Sequence, residues 1–365
     1  MGILRTVLAI AVIATHFGVI WGLRLVRGPM AVETFFIISG FYMSLILNEK
    51  YIRENGAYKL FITNRFLRLY PVYWSVLLVT CVFSLVIYFS SGRQTFPVVD
   101  SYLKVAKSGG SLTFLILTNL LIFGQDLVLF LGINPGTGHL FFAVNFWKTS
   151  PPLYTFVFIQ PAWSLSLELF FYLIAPFLLR RKPAWIILLI ILSLGLRVYL
   201  YSWIRLRNDP WTYRFFPTEL VFFLFGFVAY RVYSGIKVLK TPPYTGGLLL
   251  VYCILFTSLY GYIPVVKNQL MPFSWNEIIY FTSIVLSIPY IFIFYRNSRA
   301  DRWIGELSYP MYLSHFLIAG FIYKLPFSIL RQSWCIVVFT LLFSHLLNTI
   351  VQKPIDKFRS SRLSR

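Results

Sequence analysis

The stretch LRTVLAIAVIATHF, residues 4 to 17, carries an arginine and a histidine inside an otherwise apolar run. Arg5 and His16 are eleven positions apart, so at about 100° per residue they return to nearly the same helical face, about 16 Å apart along the axis. On a membrane helix this predicts Arg5 at the surface and His16 near mid-membrane, where an ionisable group needs a partner or a water-filled cavity. A short connection, RLVRGPM, leads into MAVETFFIISGFY, whose Glu33 falls near the end of its helix away from the cytoplasm. An antiparallel hairpin predicts Glu33 within reach of His16, and an imidazole held by a carboxylate is the arrangement a general base requires. Each residue also has a plainer reading: Arg5 as a snorkelling anchor, His16 as a packing hydrogen bonder, Glu33 exposed at the interface, and Gly40 as a point of close helix packing.

Further along, NRFLRLYPVYW places Arg65 and Arg68 three apart on one face. Two guanidinium groups so placed form a fork for phosphate; the same residues also suit an amphipathic segment lying on anionic lipid. In PAWSLSLELFFYLIAP, residues 161 to 176, Trp163, Ser164, Ser166 and Glu168 crowd together behind a proline. Hydroxyls and a carboxylate at such a break can line a polar cavity for a hydroxyl-bearing substrate, or form a network that holds the break together. IGELSYPMYLSHF sets Ser308, Tyr309, Tyr312 and His315 on a shared helical face, with His315 as a second acid or base and the tyrosines as packing residues. His139 and His345 have no such company and read as structural. No His/Cys/Asp cluster has metal-ligand spacing, so no metal is expected, and neither a Walker loop nor a G-x-S-x-G elbow is present.

The elements that must position these residues follow from composition. The chain has 365 residues, 58% hydrophobic and 19% aromatic with 12% charged, which marks a multi-pass membrane protein. Its three cysteines, Cys81, Cys253 and Cys335, lie far apart in apolar runs and suggest neither a disulfide framework nor a metal motif. Lys plus Arg is 33 against 12 Asp plus Glu. That excess is first a topology signal, then a means of sitting on anionic lipid, and only thirdly a hint of an anionic ligand; nucleic acid is not an expected partner. Apolar runs near 3–23, 29–48, 70–91, 112–132, 161–179, 184–204, 216–233, 244–264, 275–295, 308–325 and 333–352 give eleven candidate spans. The first has no small-residue cleavage site behind it and reads as a retained helix.

Placing RRK at 180–182 in the cytoplasm puts Arg231, Lys237, Lys240, Arg296, Arg299, Arg302 and the basic residues from Lys353 to Arg365 there too, an asymmetry that only an even number of crossings satisfies. The expectation is therefore an all-α polytopic bundle of about ten transmembrane helices with both termini cytoplasmic. One of two proline- or glycine-broken segments, 112–132 or 150–179, is then re-entrant or interfacial. Residues 1–355 read as a single membrane domain and 356–365 as a short basic cytoplasmic tail.

With these residues in place, the whole chain resembles the membrane acyltransferase-3 family, multi-pass proteins that move acyl groups, usually acetyl, onto sugars and other acceptors. Arg5 and His16 match its Arg, ten residues, His pattern, and AVETFFIISGF matches its GVDLFFVLSGF-like stretch with Glu33 at the acidic position. NRFLRLYPVYW, the WSLSxE stretch from Trp163 to Glu168, and the SYxxYLxH stretch from Ser308 to His315 follow in order. Glu33 stands where aspartate is usual, Asn64 replaces an arginine, and Leu169 replaces a second glutamate.

The resemblance implies acetyl-CoA as acyl donor, held through its phosphates by Arg5, Arg65 and Arg68, and a glycan or lipid-linked sugar as acceptor. It implies His16, oriented by Glu33, as the catalytic group. Trp163, Ser164, Ser166, Glu168, Tyr309, Tyr312 and His315 would then surround the reacting groups. A transporter or flippase of a glycan or anionic solute is the rival reading; it predicts two related halves, and none is visible. A non-catalytic scaffold is the third.

Overall fold

The computed structural model describes residues 1–50, 57–91, 97–105, 108–239, 242, 244–268 and 271–362. Arg53, Lys240 and Arg365, which enter the charge count above, lie outside these. The chain forms α1 (Gly2–Phe17), α2 (Gly28–Glu49), α3 (Ala57–Ser91), α4 (Pro97–Val105), α5 (Gly109–Leu121) and α6 (Gln125–Val128), then a small antiparallel hairpin of β1 (Leu131–Ile133) and β2 (Leu140–Phe142). The helices α7 (Trp163–Leu178), α8 (Pro183–Val198), α9 (Phe216–Ile236), α10 (Thr245–Leu259), α11 (Trp275–Tyr295), α12 (Arg299–Lys324), α13 (Ser333–Leu347) and α14 (Lys353–Ser361) complete it.

Among the described residues, eight helical segments are long and apolar enough to cross a membrane. α1, with 16 residues, and α12, whose 26 residues begin in a charged turn, lie outside those eight; counting both, packed inside the same bundle, gives ten crossings. Parity is visible in the packing. Gly2 lies against Asp301, Thr6 Oγ1 donates to the Ile304 carbonyl at 2.9 Å, and the His16 ring stacks on His315. The two numbers climb together, so α1 and α12 run parallel, as the first and ninth of ten crossings must; an eleventh crossing before α7 would make them antiparallel. The protein is thus a polytopic membrane helical bundle.

The segment that does not cross is the 112–132 candidate. α5 has 13 residues, about 20 Å, short of the roughly 30 Å of a bilayer core. It stops short of a full crossing, where its last carbonyls have no helical partner. Side chains of α3 supply the donors: Tyr70 to the Leu121 carbonyl, Tyr73 to Asn119 at 2.5 Å, and Trp74 Nε1 to Leu120 at 2.9 Å. The chain then turns back through Ile122 and Gly124, at φ of 66° and 81°.

α2 is apolar on all sides and buried accordingly, packing against α1, α7, α9 and α11. Its contact with α9 is also parallel: Phe36 stacks on Phe223, and a Cβ on Gly40 would sit 1.9 Å from the Phe223 carbonyl oxygen, while one on Gly226 would meet that of Ile37 at 2.2 Å. Gly40→Ala is therefore expected to lower stability by about 1–3 kcal/mol through forced separation of the two helices, read as a reduced melting temperature in detergent. The boundary expected at residue 355 falls inside α14, which packs on α3 rather than trailing as a tail.

Candidate active site

One carboxylate sets the register of α1. Asp301, in the first turn of α12, is buried and accepts from the Met1 amine at 2.6 Å, Gly2 N at 2.8 Å and Ile3 N at 3.0 Å. It thereby satisfies the leading N–H groups of α1 and complements its positive end. Gly305 lets the backbones approach, since a Cβ there would fall 2.5 Å from Gly2 Cα. From that start, two parallel helices of equal rise carry His16 and His315 to the same level.

A cavity of about 760 Å³ opens beside this start, within the range usual for small-molecule sites. Arg5, Arg65, Arg68, Ser164, Glu168, Tyr309 and Tyr312 line it, so four separate stretches of chain, on α1, α3, α7 and α12, meet there. Neither Arg5 nor Arg68 makes an ion pair or side-chain hydrogen bond among the described residues. Glu168 is held by Ser39 Oγ at 2.6 Å and by Tyr172. Away from the arginines, Ser164 Oγ and Tyr312 Oη lie 2.8 Å apart and both reach the Pro161 carbonyl at 3.0 Å. That carbonyl is exposed by the irregular turn before α7, which is why the break in the helix carries two hydroxyls.

His315 lies one helical turn beyond Tyr312, with ring centroids 6.3 Å apart. Its Nδ1 is 2.8 Å from the Tyr312 carbonyl, which only accepts, so Nδ1 carries the proton and Nε2 presents a lone pair. Nε2 is buried with no hydrogen-bond partner among the described residues. The His16 ring stacks on His315 at 5.5 Å and 25°, and Phe17 and Phe316 flank the pair. His16 itself is exposed, in the last turn of α1. It does not sit in the middle of a long first span, because Gly18, at φ 99°, ends the helix six residues before the apolar run does.

A family profile described as an acyltransferase domain matches residues 1–351. The chain belongs to the membrane acyltransferase-3 family. A relative, an uncharacterized protein of Aquifex aeolicus (strain VF5), is 26% identical over 226 residues, which cover 58% of this chain and 93% of that protein. No solved structure matches the chain.

Within this acyltransferase, three expected placements are corrected. Glu33 does not reach His16: its Oε1 accepts from Arg197 Nη2 at 2.7 Å, and Arg197 Nη1 also binds Glu219 at 3.1 Å. The parallel packing of α2 on α9 brings the two carboxylates together, and a buried arginine from α8 is the stronger partner for both. Ser166 is fully buried outside the cavity, donating to Asp126 Oδ1 at 2.6 Å and accepting from Gly124 N at 3.0 Å, so it pins the re-entrant turn to α7. Trp163 also lies outside the cavity, its face covered by the Arg214 guanidinium at 4.3 Å. Asp209 grips Arg214 at 2.6 and 2.9 Å.

Arg197, Glu219, Arg214 and Arg359 were not singled out above. An ionisable residue inside an apolar run was the signal for His16, and it applies equally to Arg197 in LSLGLRVYL and Glu219 in FPTELVFF. Arg214 sits in a connection and carries no such signal. The pin makes its own prediction: Ser166→Ala leaves Gly124 N buried without a partner, takes the hydroxyl donor from Asp126, and is expected to cost about 1–3 kcal/mol, measured as a lowered melting temperature with an increased rate of proteolysis near residue 124.

Proposed function

We propose that this acyltransferase moves an acetyl group from acetyl-CoA to a hydroxyl of a cell-surface polysaccharide or lipid-linked glycan. The supporting observation is the two-ended arrangement: a cavity lined by Arg5, Arg65 and Arg68 runs in to Ser164 and Tyr312, and one helical turn further the His315 and His16 rings lead to the opposite end of the bundle. The basic end, which carries both the start of α1 and the last helix, is taken as cytoplasmic on the positive-inside rule. Acetyl-CoA then enters from the cytoplasm and its phosphates meet the arginines.

In this reading His16, backed by His315, takes the proton of the acceptor hydroxyl as its oxygen bonds to the thioester carbon. The carbon–sulfur bond breaks, coenzyme A leaves as thiolate, and the proton passes to it. The Tyr312 hydroxyl, now shared between Ser164 and the Pro161 carbonyl, can re-aim at the developing oxyanion. Glu33 keeps its family position but acts through the fold, holding α2, α8 and α9 by way of Arg197. Radiolabelled acetyl-CoA supplied to inverted membrane vesicles is expected to label a glycan or lipid-linked sugar; flux of solute without labelled glycan would favour the transporter. Tyr312→Phe is expected to reduce kcat about 10²-fold with little change in the KM for donor, as loss of an oxyanion donor does.

A further inference from the structure

The mouth of the cavity has another arginine, and it comes from beyond the last crossing. Arg359 on α14 lines the cavity with Arg65 and Arg68. Its guanidinium pairs with Asp356 one turn earlier, while its Nε is buried without a hydrogen-bond partner among the described residues. Arg362 fastens the helix in place: Nη1 donates to Asn64 Oδ1 at 3.0 Å and Nη2 to Thr63 Oγ1 at 2.8 Å. Those acceptors immediately precede Arg65, so α14 is tied to the very turn that bears the phosphate fork. Lys353, Lys357 and Phe358 point outward from α14, exposed, while Arg359 is turned in.

Like charges converging on a cavity repel one another unless an anion balances them, and partly buried guanidiniums are screened less than those in water. Arg5 and Arg68 make no ion pair among the described residues; Asp356 pairs with Arg359, and of the carboxylates lining the cavity Asp301 is taken by the Met1 amine and Glu49 by Lys237, which leaves Glu168 and Glu306 against the arginines. We propose that Arg359, presented by α14 and anchored through Arg362, is a further phosphate-binding residue of the donor cavity, so that the C-terminal helix completes the site from outside the span bundle. This rests on reading the cavity as the acyl-CoA site. A phosphate group is the chemistry recognised, because the planar guanidinium matches its oxygens two at a time.

The test is calorimetric titration of the full chain in nonionic detergent with coenzyme A at fixed ionic strength. Arg359→Gln is expected to raise Kd about tenfold, with Arg359→Lys intermediate because charge survives without the bidentate fork. Lys357→Gln, the same charge change on the outer face, is expected to leave Kd unaltered, and melting temperatures recorded alongside separate lost binding from lost fold. Equal Kd values for Arg359→Gln and Lys357→Gln would overturn the proposal. So would normal coenzyme A binding by Arg359→Gln together with weakened adhesion to phosphatidylglycerol vesicles, which would make Arg359 a lipid-headgroup contact. If the unaltered protein binds no coenzyme A, the donor reading fails, and inorganic pyrophosphate then decides the anion site alone: Arg359-dependent binding supports it and Arg359-independent or absent binding ends it.

Discussion

His16→Ala is expected to lower acyl transfer about 10²–10⁴-fold, the range that loss of a general acid or base produces, while the protein still inserts and still binds donor. His16 is exposed at the end of α1 and its ring contacts are with His315, Phe17 and Phe316, so its removal opens no interior cavity. The loss should fall on kcat rather than on the KM for donor, because the arginines that meet the phosphates lie at the other end of the bundle. His315→Ala bears on the same step from a buried position. Its Nδ1 is committed to the Tyr312 carbonyl, so the ring holds one tautomer and offers Nε2 alone. Single-turnover transfer from preloaded donor separates the two histidines. Full activity in His16→Ala with none in a folded His315→Ala would move the proton transfer to His315 and end the role given to His16.

The second large effect is on stability. Arg197→Met is expected to destabilise the fold by about 3–5 kcal/mol, the usual result of removing one partner from a buried ion pair. Glu33 and Glu219 are then left facing each other in the interior, each nearly or fully inaccessible. Arg197 also donates to the Thr212 carbonyl and lies over the Phe273 ring at 4.5 Å, so it joins α8, the connection to α9 and the loop before α11 as well as α2. The loss should appear as reduced yield of folded protein and a lower melting temperature in detergent. Neutralising the orphans in the same chain, as Arg197→Met with Glu33→Gln and Glu219→Gln, is expected to recover most of the stability, since an uncharged core of similar volume is tolerated where a lone buried charge is not. A triple variant no more stable than Arg197→Met would show that the arginine acts by packing alone.

The helices, their parity and three of the cavity-lining arginines, Arg5, Arg65 and Arg68, were legible in the residues themselves. Twenty-residue apolar runs satisfy their own backbone hydrogen bonds and so declare themselves locally, and lysines and arginines report sidedness through their asymmetry between loops. Arg5, Arg65, Arg68, Ser164, Glu168, Tyr309 and Tyr312 could be picked out because a polar group in such surroundings is costly without a purpose.

Which polar group meets which was decided elsewhere. Glu33 lies closer in sequence to His16 than to Arg197, and a hairpin argument pairs it with the histidine; the bundle pairs it with the arginine 164 positions away. The reason is geometric. Neighbouring helices in a bundle need not be neighbours in sequence, and the close glycine contacts at Gly2 with Gly305 and at Gly40 with Gly226 choose two parallel partners, α1 with α12 and α2 with α9. Once those backbones touch, equal rise per residue brings His16 to His315 and Glu33 to Glu219. Residue types state that charges must be answered inside the membrane; only the packing of distant helices determines by whom.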